Sequence, residues 1–156
     1  TYFVVAHFHY VIFCGTGLGM FAAMHFWFPK IFGRDYNARR AMWAFWLSFA
    51  GMNVLYMPMF VMGLQGMPRR YYDYLPQFAP LQLVSTIGSW ILVAGLALMF
   101  GNLIAGIFHG RRVGANPWGA ATLEWTLSSP PPHHDFPQTP VVEKGPYDFT
   151  GVSADE

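Results

Sequence analysis

Residues 1–11 read TYFVVAHFHYV, an apolar run that contains two histidines, His7 and His9. At 3.6 residues per helical turn, side chains two positions apart point about 200° away from each other. A helix over this stretch would therefore present His7 and His9 to different neighbours rather than to one metal ion. Imidazole is costly to hold in lipid without a partner. The pattern indicates two metal centres with one helix between them.

The composition is typical of an integral membrane protein. Of the 156 residues, 54% are hydrophobic, 19% aromatic and 11% charged, which is less than half the charged share of a soluble domain. Charged residues are absent from residues 1–29, 41–68 and 74–110, and each gap exceeds the roughly 20 residues that a transmembrane helix needs. Three core helices of a soluble protein are the alternative, which the absence of a polar stripe disfavours. The net charge of +1 gives no indication of nucleic-acid binding.

We predict an all-α integral membrane fold with three transmembrane helices near residues 2–28, 42–64 and 82–108. Residues 1–112 would form the membrane domain. Residues 113–156 would form an irregular tail, because their many prolines exclude long helices. No signal peptide is expected, and the chain has the character of the later part of a longer polypeptide or of one piece of an assembly.

The basic residues predict the orientation in the membrane. Six of those near the predicted spans would lie on one side, in the first loop or directly after the third span: Lys30, Arg34, Arg39, Arg40, Arg111 and Arg112. The positive-inside rule then places the first loop and the tail on the cytoplasmic or matrix side. His7 and His9, roughly 10–13 Å along the helix from Thr1, would lie in the outer half of the bilayer.

The histidine pair favours heme over zinc as the bound group. A zinc site would need ligands three or four positions apart on one helix face, whereas a heme iron needs only one or two imidazoles in an apolar pocket. Gly15 and Gly19 would let another helix or a flat macrocycle approach the backbone closely. Hydrogen bonding of each histidine to a neighbouring helix stays open as the alternative.

A second candidate site lies at residues 66–74, which read GMPRRYYDY. Arg69 and Arg70 break the positive-inside pattern, so they need anionic partners nearby. Lipid phosphates are one candidate, but heme propionates are favoured, because carboxylates match the forked guanidinium donors. This loop is also predicted on the same membrane side as the two histidines. No ligand is assigned among the other histidines: His25, His109, His133 and His134.

Residues 1–11 resemble the tenth transmembrane helix of subunit I of the heme–copper cytochrome c oxidases. Further motifs that resemble this family follow in the same order. They are WFP at residues 27–29, GMPRRY at 66–71, LEW at 123–125 and PPP at 130–132. The A-type, mitochondrial-like branch of the family fits best.

The resemblance implies a role for each candidate residue. His7 would be the proximal ligand of the high-spin heme a3, and His9 an axial ligand of the low-spin heme a. Phe8 would lie between the two hemes, and Arg69 and Arg70 would contact heme propionates. The three spans would be the tenth to twelfth helices of a twelve-helix bundle. Copper B would be bound by residues outside this chain, which would act only as part of a complete subunit I.

The implied function is that of a catalytic subunit of a proton-pumping terminal oxidase. Electrons would pass from cytochrome c through heme a to a heme a3–copper centre that reduces oxygen to water. The implied partners are the remainder of subunit I, subunits II and III, cytochrome c and a respiratory supercomplex. The implied location is the bacterial cell membrane or the mitochondrial inner membrane. A quinol-oxidising relative, a membrane heme electron carrier without oxygen chemistry and a heme-free membrane scaffold stay open as alternatives.

Overall fold

The computed structural model describes residues 1–136 and 138–154. It contains three long helices, which we label α1 (Tyr2–Phe32), α2 (Ala38–Leu64) and α3 (Ala79–His109). Each of them is long and apolar enough to cross a membrane. The predicted all-α membrane fold with three transmembrane helices is therefore confirmed.

The helices extend past the predicted spans at their charged ends. Helix α1 continues to Phe32, so Lys30 lies in its last turn, where only 5% of its surface is exposed. Helix α2 includes Arg39 and Arg40 in its first turn. The assignment of these three cations to the first loop was wrong, because a charge marks the end of the apolar stretch and not the end of the helix.

Helix α1 changes its winding directly after the histidine pair. Tyr2–His9 is α-helical, Tyr10–Gly17 is π-helical and Leu18–Phe32 is α-helical again. The apolar pattern of the sequence did not predict this change. Wider π-helical turns are rare and are frequently found at functional sites, and this one begins one residue after His9.

By its internal contacts, the chain divides into two compact units. The first unit comprises Thr1–Ala22 and Ala38–Gly101, and the second comprises Ala23–Asn37 and Asn102–Glu156, the latter within its described residues. The predicted division into a membrane domain at residues 1–112 and a separate tail stays a prediction.

In the first unit, α2 and α3 approach each other closely enough for backbone contact. A Cβ atom added at Gly51 would collide with the backbone of Leu92, and one added at Gly88 would collide with the backbone of Leu55. Small residues at such positions are how membrane helices achieve close packing, since lipid supplies no hydrophobic drive for association. The two glycines therefore set the distance between these helices.

In the second unit, the tail packs around the last turn of α1. Trp125 lies in a short 3-10 helix, Leu123–Thr126, and is 2% exposed. The ammonium group of Lys30 donates hydrogen bonds of 2.8 Å to the carbonyl of Ala115 and 2.7 Å to that of Leu127. It also lies 5.1 Å from the centroid of the Trp125 ring, within the range of a cation–π contact. The prolines exclude long helices from the tail but not tertiary packing.

Tyr36 closes the turn between α1 and α2 within the second unit. Its ring makes edge contacts with His25, at a centroid distance of 4.9 Å, and with Phe28, at 5.7 Å. Burial, followed by the negative charge of Asp35, raises the pKa of Tyr36 above its ordinary value. The phenol therefore stays neutral at physiological pH, as its packing against aromatic rings requires.

Candidate functional site

His9 is the more constrained of the two histidines in α1. Its Nδ1 atom lies 2.7 Å from the carbonyl oxygen of Val5. A carbonyl can only accept, so Nδ1 carries the hydrogen, and in the neutral ring Nε2 then carries the lone pair. The imidazole also stacks on the rings of Phe8 and Tyr56, with centroid distances of 4.2 and 4.8 Å. The tautomer of His9 therefore leaves on Nε2 the lone pair that a metal ligand needs.

His7 lies in different surroundings from His9. Its side chain is exposed, whereas the adjacent Ala6 is completely buried in the first unit. None of the described residues makes a hydrogen bond to the His7 ring. Phe8, between the two histidines, is 42% exposed. The imidazole of His7 is therefore available to a group outside this chain's own packing.

The part of α1 that follows the histidines leaves room for a flat ligand. Val11 is 57% exposed, and a Cβ atom added at Gly15 or Gly19 would meet no atom of the described residues within 4 Å, apart from the nearby backbone of its own helix. A porphyrin is a flat, largely apolar group of this kind. The exposed imidazole of His7 can therefore ligate a heme iron, and the surface of α1 around the two glycines is open to another flat group.

Arg69 and Arg70 lie on the loop that follows α2, and both are exposed. Within residues 1–136 and 138–154, neither guanidinium makes an ion pair or a hydrogen bond. Arg70 has a φ of +58°, a left-handed conformation that costs a non-glycine residue of order 1 kcal/mol or more. The loop thus presents two unpaired cations, as the propionate hypothesis requires.

The loop at residues 66–74, which we call the arginine loop, is attached to the first turn of α1. The N–H of Tyr2 donates a 2.8 Å hydrogen bond to the carbonyl of Met67, and the rings of Tyr2 and Tyr71 pack edge to face at 5.7 Å. His7 and His9 follow Tyr2 by about 7.5 and 10.5 Å of helical rise. The structure thus brings the arginine loop to the end of α1 that carries the histidine pair.

Sequence reasoning missed several residues that support the site. Tyr56, 8% exposed, stacks on His9, and Met67, completely buried, anchors the arginine loop. Tyr56 does not stand out in an apolar chain with many aromatic residues, and the GMPRRY motif contains Met67 without indicating that its side chain is buried. The Val5 carbonyl that fixes the His9 ring is a backbone group, so it has no sequence signal beyond its place four residues before a histidine.

Comparison with known proteins identifies the family. The family described as "Cytochrome C and Quinol oxidase polypeptide I" matches residues 1–91. Cytochrome c oxidase subunit 1 of Thermostichus vulcanus is 46% identical over 149 residues, which is 96% of this chain and 27% of that protein. Quinol oxidase subunit 1 of Bacillus subtilis is 39% identical over 148 residues, 92% of this chain and 23% of that protein.

A third relative is named as a heme-copper oxidase subunit. The heme-copper oxidase subunit I+III of Aeropyrum pernix is 41% identical over 145 residues, 92% of this chain and 18% of that protein. The chain spans about a quarter or less of the length of these curated relatives. The family match covers more than half of the chain and includes both histidines and the arginine loop. This chain belongs to the family of subunit I of the cytochrome c and quinol oxidases.

Proposed function

We propose that this chain supplies the heme-iron ligands of the catalytic subunit of a proton-pumping terminal oxidase. In that subunit, heme a and a heme a3–copper centre, when bound, would supply electron transfer from cytochrome c and the reduction of oxygen to water. The attachment of the arginine loop to the first turn of α1, through Tyr2 and Met67, carries the proposal. It brings cations suited to propionates to the same end of α1 as the two imidazoles.

The two histidines have separate tasks. His9 binds heme a through Nε2, because its Nδ1 hydrogen is donated to the Val5 carbonyl. His7, exposed and without a hydrogen-bond partner among the described residues, would hold heme a3 by ligating its iron. The hemes, when bound, supply the electron transfer and the oxygen chemistry. Because one helix carries both imidazoles, their separation is fixed. Phe8, between them in the sequence, would fill the space between the two hemes.

Arg69 and Arg70 supply positive charge to the propionates. A carboxylate in a low-dielectric site is stabilised by a charge-assisted hydrogen bond from a guanidinium. Such a partner also changes the reduction potential of the heme iron, because groups around a metal site affect its potential. Both guanidinium groups are exposed and unengaged by the described residues, so they are available for this role.

The remaining parts of the centre come from other chains or segments. Copper B is bound by residues outside this chain, in the remainder of subunit I. We further propose assembly with oxidase subunits II and III and interaction with cytochrome c, in a bacterial cell membrane with the tail on the cytoplasmic side. The bacterial relatives and the three membrane-length helices support this location.

Quinol is the second candidate for the electron donor. The 39% identity to quinol oxidase subunit 1 of Bacillus subtilis favours it, although the relative from Thermostichus vulcanus, named as a cytochrome c oxidase, is more similar. Oxygen consumption by the purified complex with reduced cytochrome c, or with a reduced quinol, separates the two donors. Turnover with cytochrome c supports the first proposal, and turnover with quinol alone contradicts it.

The heme assignments are tested by replacing each histidine in the complete oxidase. We expect His7→Ala to abolish oxygen reduction and to keep the low-spin heme spectrum, and His9→Ala to lose the low-spin spectrum. His109→Ala, which removes an exposed histidine at the end of α3, serves as the control and should change neither. Loss of the low-spin spectrum in His7→Ala, with the high-spin spectrum intact, would overturn the assignment.

A further inference from the structure

The ring of Tyr56 is the contact through which α2 restrains the His9 imidazole. The two rings are nearly parallel, with an angle of 24° and a centroid distance of 4.8 Å. Phe8 also stacks on His9, but it belongs to the same helix and is 42% exposed, whereas Tyr56 is 8% exposed. Tyr56 is therefore the buried ring, held by a second helix, that limits rotation of the imidazole.

Tyr56 is itself held by neighbours from α1. The rings of Tyr10 and Phe13 meet it edge to face, at centroid distances of 6.0 and 6.4 Å. The Tyr10 hydroxyl donates a 2.9 Å hydrogen bond to Oδ1 of Asn53. Asn53 lies three positions before Tyr56, so both residues occupy the same face of α2.

Asn53 is fixed in turn by its own helix. Its side-chain nitrogen donates a 2.8 Å hydrogen bond to the carbonyl of Phe49. The acceptor oxygen that faces Tyr10 therefore has a set position, and the bond between Tyr10 and Asn53 aligns α1 with α2 beside His9. The bond therefore limits displacement of this part of α2, which carries Tyr56, relative to the part of α1 that carries His9.

We propose that Tyr56 is a positioning residue that sets the ring plane of His9 when this imidazole ligates iron. The inference rests on the proposed function, because it needs His9 as an axial ligand. The hydrogen bond to Val5 fixes the tautomer and holds one atom of the ring, and the flat face of Tyr56 fixes the plane. Outer groups that orient a ligating histidine tune the metal as well as its binding.

The orientation of an axial imidazole plane is read from the g-values of a low-spin ferric heme. The test is electron paramagnetic resonance of the complete oxidase carrying Tyr56→Met, Tyr56→Phe or Phe45→Leu. Met fills space flexibly but has no ring, so Tyr56→Met should shift and broaden the low-spin signal. Tyr56→Phe keeps the ring and should retain the wild-type signal. Among the described residues, the aromatic rings that contact Phe45 of α2 are those of Trp46 and Phe49, so Phe45→Leu is the control and should change nothing.

An unchanged low-spin signal in Tyr56→Met overturns the inference, as does an equal shift in Tyr56→Phe. Should Tyr56→Met fail to assemble, Tyr10→Phe decides, because it removes only the hydroxyl that binds Asn53. A shift of the same signal in Tyr10→Phe supports the inference, and no shift overturns it. The proposed function fails separately, if His9→Ala keeps the low-spin signal.

Discussion

The main-chain N–H of Tyr2 donates a 2.8 Å hydrogen bond to the carbonyl of Met67, which joins the first turn of α1 to the loop after α2. A second hydrogen bond fixes the backbone of Met67, because its N–H donates to the carbonyl of Met62 at 3.0 Å. The Met67 side chain is completely buried. Histidines and arginines that are far apart in the sequence are thereby brought to one end of the first unit.

Truncation of Met67 should therefore loosen the arginine loop. Met67→Ala removes a fully buried side chain and should cost about 2–5 kcal/mol of stability. Met57→Ala, which truncates a methionine of α2 that is 53% exposed, is the control. Thermal denaturation of the purified oxidase measures both. Equal midpoints for the two variants would show that Met67 does not anchor the loop.

Arg69→Gln should lower the reduction potential of heme a, or impair proton pumping, more than it impairs assembly. The amide keeps hydrogen-bonding capacity but loses the charge that stabilises a propionate. Arg39→Gln, which neutralises an exposed arginine in the first turn of α2, controls for the general loss of one positive charge. A redox titration and pumping ratio that match the wild type would contradict the propionate role.

Arg70 offers a test that separates its charge from its backbone conformation. Glycine adopts positive φ readily, so Arg70→Gly suits the φ of +58° at this position while removing the guanidinium. We expect normal assembly together with a lowered heme a potential, measured by the same redox titration. A normal potential in an assembled Arg70→Gly oxidase would mean that the residue serves the loop conformation alone.

The three helices were predictable, because lipid imposes a simple rule on the sequence: long stretches without charge. The surroundings of the charged residues at the helix ends were not predictable, as Lys30 illustrates. Its burial depends on carbonyls of Ala115 and Leu127, which only the folded tail places beside it. Likewise the spacing of His7 and His9 predicts different surroundings, but the stacking of Tyr56 on His9 depends on the packing of α1 against α2. Local sequence patterns do not predict such contacts between helices.

Lys30→Met should release the tail from the last turn of α1. Hydrogen bonds from a charged donor contribute about 1.5–3 kcal/mol each, and Lys30 makes two to tail carbonyls. We expect faster proteolytic cleavage of the tail in the assembled oxidase. Lys144→Met removes an exposed lysine whose ammonium binds the carbonyl of Thr150 within the tail, and it should leave α1 and its contacts unchanged. Equal cleavage rates in the Lys30→Met and wild-type enzymes would refute the anchoring role.

Gly88→Ala should reduce the yield of heme-loaded oxidase. A methyl group at Gly88 would collide with the backbone of Leu55, whereas one at Gly101, on the same helix, would meet no atom of the described residues within 4 Å, apart from the nearby backbone of α3. Gly101→Ala should therefore be neutral, or stabilising by roughly 0.5–1 kcal/mol from improved helix propensity. Heme content per purified subunit measures the difference. Similar yields for the two variants would show that α2 and α3 can separate at no cost.

The most direct test is a cryo-electron microscopy map of the complete oxidase at the positions of His7 and His9. We expect two porphyrins, one ligated by each imidazole, with guanidinium groups of Arg69 and Arg70 beside their propionates. A map in which either imidazole meets only lipid or protein, with no porphyrin beside it, would refute the proposed heme ligation.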